Sequence, residues 1–191
     1  IFDINGYMKF YKIILFLLLI SNAHSNEKFK LKKITDLNNP WSMTFLNNEE
    51  IMISDKEGQI QNINLKNKTI NKVNHNLNYK VDGQGGLLEI LKHKNNIYLC
   101  YTEDRGSGKT STSIAKAKYT KDNLNFKNIF QANPPINSGY HYGCRMVIQD
   151  DKYLYASVGE RGGGNIAQDF NQHPGSIIKI NLDGSVPKDN P

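Results

Sequence analysis

A histidine stands between two glycines in Gly139-Tyr140-His141-Tyr142-Gly143-Cys144-Arg145, just ahead of the apolar Met146-Val147-Ile148. Glycine adopts backbone angles closed to other residues and lets another group approach closely. A neutral imidazole at such a loop-to-strand junction is suited to take a proton near neutral pH. The pattern equally fits a loop histidine with one structural hydrogen bond, and residues 139–148 alone leave both readings open. A second polar constellation, Gly162-Gly163-Gly164 with Asn165 and Gln168, follows downstream. Phosphate loops open a helix, and no helical pattern follows these glycines, so phosphate binding is not expected here.

The elements that would position these residues read as strands. Short apolar runs are separated by Asn, Asp and Gly throughout. They fall into ordered units. Pro40–Leu46 leads through a polar turn to Ile51–Asp55 and then Gln59–Leu65. Gly86–Leu91 leads to Ile97–Glu103 and then Ser111–Tyr119. Cys144–Ile148 leads to Tyr153–Glu160 and then Ser176–Asn181, with a tight turn at Asp183-Gly184. The repeat is about 50 residues, the range of propeller blades. The expected class is therefore all-β, a propeller of which about three blades are visible. Since propellers have about four to eight blades, the sequence reads as the N-terminal part of a longer protein. An irregular β-sandwich with similar segments is the alternative architecture.

Length and composition bound the rest. The chain has 191 residues and a net charge of +6. Its lysines are spread out, and no basic run is interleaved with aromatics, so a nucleic-acid groove is not expected. Residues 1–7 read as upstream sequence. Residues 8–25 read as a signal peptide: two lysines, the apolar run Ile13–Ile20 and a small-residue site at Ala23-His24-Ser25. The apolar run is too short to span a bilayer comfortably, so no stable membrane insertion is expected after cleavage, although a short N-terminal anchor is the other reading. The mature part, 26–191, would be periplasmic or secreted. An exported protein could oxidise Cys100 and Cys144 to a disulfide. They stand in different strand-like segments, and two buried free thiols are expected.

Three stretches together resemble the soluble PQQ-dependent sugar dehydrogenases, the glucose/sorbosone dehydrogenase family that includes the aldose sugar dehydrogenases. They are Asn39-Pro40-Trp41-Ser42-Met43-Thr44-Phe45-Leu46, then Gly83-Gln84-Gly85-Gly86-Leu87-Leu88, and then Gly139–Arg145 with Val158-Gly159-Glu160-Arg161, Ala167-Gln168-Asp169 and the closing Ile180–Pro191. The resemblance runs from Lys32 to Pro191. It implies a six-bladed β-propeller that binds pyrroloquinoline quinone (PQQ) and calcium. The implied reaction oxidises the anomeric carbon of aldoses to lactones, with electrons passed on to an external acceptor. It implies that His141 is the general base, that Gln84 contacts the sugar, and that Tyr140 faces substrate. Tyr140 stands where Asp or His is common in the family, Glu160 where Asp is common, and Cys144 where a small residue is common.

The residue chemistry agrees with those roles. A base must take the anomeric hydroxyl proton as hydride leaves the same carbon, which suits a neutral imidazole. A primary amide both donates to and accepts from a hydroxyl. Gln84 could instead bridge loop backbone, and Arg145 is expected to support the site rather than touch a ligand. Asn165 and Gln168 could reach the site or stabilise their own loop. The resemblance places the calcium ligands and the quinone-holding cations mostly in later blades, so no metal ligand is assigned. Two rivals remain: an exported, non-catalytic propeller binding glycans or proteins, and a metal-dependent lactonase propeller.

Overall fold

The computed structural model of the chain describes residues 29–190. The upstream residues 1–7 and the signal peptide expected over 8–25 lie outside the described residues. Three antiparallel sheets follow one another along the chain. The first contains β1 (Pro40–Phe45), β2 (Glu50–Asp55), β3 (Ile60–Asn64) and β4 (Ile70–His75). The second contains β5 (Leu87–His93), β6 (Asn96–Asp104), β7 (Thr110–Lys118) and, after the two-residue β8 (Asn123–Leu124), β9 (Lys127–Gln131). The third contains β10 (Gly143–Gln149), β11 (Tyr153–Val158) and β12 (Ile177–Asn181). Each sheet is an up-and-down meander with sequential neighbours paired, as the blade reading expects. β8 leaves this pattern and pairs in parallel with β4, tying the second blade to the outer edge of the first.

Period-2 alternation explains why the blades stack. Along β6, Ile97, Leu99 and Tyr101 face the first blade and pack with Met52, Ile60 and Val73. The intervening Tyr98 and Cys100 face the third blade and pack with Met146, Leu154, Ala156 and Ile178. Both faces of β6 are thus buried, and the strand is apolar without interruption from Ile97 to Tyr101. The outer strands are different. β4 buries only Val73, and β9 buries none of its side chains fully. Their polar composition hides them in the sequence, where only three strands per blade were expected.

Cys100 and Cys144 form a disulfide, with Cα atoms 6.2 Å apart. This corrects the expectation of two free thiols. Residence in different strands does not separate them, because blade stacking lays β6 of the second blade against β10 of the third. Among the described residues, no helix is long and apolar enough to cross a membrane.

Candidate active site

The loop between β9 and β10 carries His141, and the loop between β4 and β5 carries Gln84. The His141 backbone N–H donates to Gln84 Oε1 at 2.9 Å, although the two lie 57 positions apart. The Gln84 N–H in turn donates to the Gly139 carbonyl at 2.7 Å. Only glycine permits this crossing. A Cβ at Gly83, which has φ +55°, would lie 2.3 Å from the Gly139 oxygen. Gly159 is under the same constraint, since a Cβ there would lie 1.9 Å from the His141 oxygen. His141 itself has φ 48°. A non-glycine residue in that region costs about 1–3 kcal/mol and persists only where its surroundings over-determine it.

The imidazole is oriented by Glu160, in the loop after β11. His141 Nδ1 pairs with Glu160 Oε1. A carboxylate only accepts, so Nδ1 carries the proton, and Nε2 of the neutral ring keeps its lone pair. The His141 side chain is 54% exposed, and Nε2 makes no hydrogen bond among the described residues. Glu160 is held below the usual carboxylate range, first by the bond from His141 and then by backbone N–H groups, including that of Gly162 at 3.2 Å. A depressed carboxylate value means that the pair's contribution is present above the unfolded value of 4.5 and is lost as pH falls through the lower folded value. Across the neutral range the ring therefore stays anchored.

Gln84 Oε1 is committed to the His141 N–H, which fixes the amide orientation. The Nε2 end has no hydrogen-bond acceptor among the described residues. Tyr140 is exposed beside His141, with ring centroids 6.2 Å apart at an edge-on angle. The structure thus brings together the three residues singled out in the sequence, His141, Gln84 and Tyr140. Arg145 lies apart from this group: its Nη1 pairs with Glu89 Oε1 at 2.8 Å, and Glu89 Oε2 also accepts the Met146 N–H. It ties β10 to β5, consistent with the supporting role expected of it. Asn165 and Gln168 lie in a single 3₁₀ turn, Gly164–Gln168, and make no hydrogen bond to His141 or Gln84. A cleft of 770 Å³ between β9 and β12 contains none of the site residues.

Arg161 was missed as a site residue. It is 3% exposed and reaches under the His141 loop. Arginine is almost never fully buried unless paired, so composition gives no hint of such a position. The available signal was its place next to Glu160 within the Val158-Gly159-Glu160-Arg161 stretch that carries part of the resemblance.

The glucose / sorbosone dehydrogenase family profile matches residues 37–191. The chain belongs to that family. It is 26% identical over 164 residues to the aldose sugar dehydrogenase YliI of Escherichia coli (strain K12), covering 81% of this chain and 44% of the relative. It is 28% identical over 202 residues to quinoprotein glucose dehydrogenase B of Acinetobacter calcoaceticus, covering 87% and 42% respectively. The PQQ-bound structure of an aldose sugar dehydrogenase from Streptomyces coelicolor superposes with a TM-score of 0.74 at 25% identity, covering 84% of this chain and 50% of that one. The chain thus spans about half the length of the relatives it matches. The three stacked sheets are blades of the family's β-propeller.

Proposed function

We propose that the protein oxidises the anomeric carbon of aldose sugars to lactones, using PQQ, and passes the electrons to an external acceptor. The observation that carries this reading is the arrangement of His141, with Nδ1 held by Glu160, Nε2 without a hydrogen-bond partner among the described residues, and the backbone N–H bound to the Gln84 amide oxygen. The names of the relatives support it, one a quinoprotein glucose dehydrogenase and one determined with PQQ bound.

The residues present fit the substrate half of such a reaction. An imidazole with a free lone pair, an amide donor and an exposed aromatic ring stand together, as a polyhydroxy ligand with an acidic proton requires. His141 Nε2 takes the proton from the C1 hydroxyl. Glu160 stabilises the imidazolium that forms and keeps the ring turned towards the sugar. Gln84 Nε2 donates to a second sugar hydroxyl, and the Tyr140 ring packs against the sugar's C–H face. Quinone, when bound, would supply the two-electron sink for the hydride released at C1. The C1–H and O–H bonds are thereby exchanged for the lactone C=O. No group of three or more His, Cys, Asp or Glu among the described residues could hold a metal ion. No ligand is assigned among the described residues to the calcium that the resemblance implies.

Gln84 separates binding from chemistry. In the protein at full length, Gln84→Ala raises the sugar KM by roughly tenfold, the worth of one hydrogen bond. It lowers kcat by a smaller factor, because the His141 N–H also loses its acceptor. Steady-state kinetics against glucose check this, and an unchanged KM would remove Gln84 from the sugar site. Export through residues 8–25 belongs to the same proposal. N-terminal sequencing of the mature protein should begin near Asn26, and a retained Lys9–Ile20 would refute it. The reading as a whole is tested by reconstituting the full-length protein with PQQ and calcium and analysing the products from a panel of aldoses. Lactone is expected, and no C1 oxidation from any aldose would overturn the proposal.

A further inference from the structure

We propose that Arg161 is the positioning residue of this site, clamping the backbone that carries His141 to the neighbouring blade. The inference rests on reading His141 as the base. Arg161 Nε donates to the Tyr140 carbonyl at 3.0 Å. Nη1 donates to the Thr110 carbonyl at 3.1 Å, and Nη2 donates to Thr110 Oγ1 at 2.7 Å and to the Ser138 carbonyl. The guanidinium lies over the Tyr142 ring, 3.7 Å from its centroid. Its backbone N–H donates to the His141 carbonyl at 3.3 Å. The one side chain therefore holds residues 138, 140 and 142, on both sides of His141, and anchors them to the first residue of β7.

Energetics argue that this is more than packing. A buried charge is costly unless compensated. Arg161 has no carboxylate within ion-pair distance among the described residues, and burial pushes its guanidinium value down, opposed in part by Tyr142 and the more distant Asp82. Its charge is spread instead over two loop carbonyls, one strand carbonyl, a hydroxyl and an aromatic face. Only a planar fork with five fixed donors can serve all of these at once, and a lysine ammonium cannot. The clamp acts where the backbone needs it, since His141 sits at φ 48° and Arg161 at φ 59°. Consecutive residues thus divide the work: Glu160 orients the ring, and Arg161 fixes the main chain from which the ring projects.

The test uses Arg161→Lys and Arg161→Gln in the full-length protein, with two readouts. Hydrogen exchange is followed by mass spectrometry in peptides covering 138–145 and, as reference, 97–104. Both variants should exchange at least about tenfold faster over 138–145, with β6 unchanged. Single-turnover reduction of PQQ by glucose should slow by roughly 10–10²-fold, the cost of small misplacement, while the sugar KM stays within about threefold. Parent-like exchange over 138–145 overturns the clamp. Equally faster exchange over 97–104, or faster loop exchange with parent-like turnover, overturns the positioning role. Should both variants fail to fold, Thr110→Val removes one acceptor of the fork and is expected to show the same loop-limited exchange. His141→Gln in the same assays separates the two levels. Parent-like turnover there defeats the base reading, and the exchange result still decides the clamp.

Discussion

Turnover of sugar falls by roughly 10²–10⁴-fold when His141 is replaced by Gln, the range for removing one positioned acid–base group. The blades should be unaffected. The His141 side chain is 54% exposed and belongs to none of the three apolar clusters. Its structural contacts run mostly through the backbone, to Gln84, Gly139 through Gln84, and Arg161, and these survive the substitution. A glutamine side chain cannot take a proton, so the loss should appear in kcat rather than in sugar binding. Glu160→Gln should lower turnover less, by roughly 10–10²-fold, as loss of an orienting partner does. Its amide leaves the Nδ1 proton no longer fixed, while the imidazole that takes the proton remains. Measuring kcat for the three proteins distinguishes these cases. A Glu160→Gln enzyme with the parent rate would show that the carboxylate does not set the ring.

Loss of the Cys100–Cys144 bridge should be the largest stability effect of any pair of small substitutions. The bridge closes a loop of sequence separation 44. For a loop of this length the chain-entropy relation gives about 4 kcal/mol. Cys100→Ala with Cys144→Ser avoids stray thiols and leaves β6 and β10 otherwise intact. The melting temperature should fall by of order 10 °C, and the parent should show a similar fall in reductant. The bridge lies three residues from His141, so the double variant should also lose protection in the loop before β10. A reductant-insensitive parent with the same midpoint as the double variant would show that the bridge contributes nothing.

How far the sequence reveals such features depends on where each side chain points. The strand β6 was legible because both its faces are buried, which leaves a continuous apolar run from Ile97 to Tyr101. β4 and β9 were not legible, since an outer strand needs few apolar residues and β4 buries only Val73. His141 stood out through its flanking glycines. Its contact with Gln84 did not, because a hydrogen bond across 57 positions leaves no local pattern; their association came from the family resemblance. Cys100 and Cys144 looked separate because strand membership says nothing about which blades face each other. Arg161 was overlooked for a related reason. Its burial depends on three carbonyls brought together by two different blades, and no local composition encodes that.

The central claim is that His141, held by Glu160 beside Gln84, removes the proton during oxidation of the sugar's anomeric carbon. Single-turnover reduction of bound PQQ by glucose tests it most directly, because acceptor and product-release steps do not contribute. The parent protein should reduce its quinone with a slowed rate for C1-deuterated glucose, and His141→Gln should bind PQQ equally but reduce it roughly 10²–10⁴-fold more slowly. A His141→Gln protein that reduces its quinone as fast as the parent would contradict the claim and leave the histidine between its glycines a structural one.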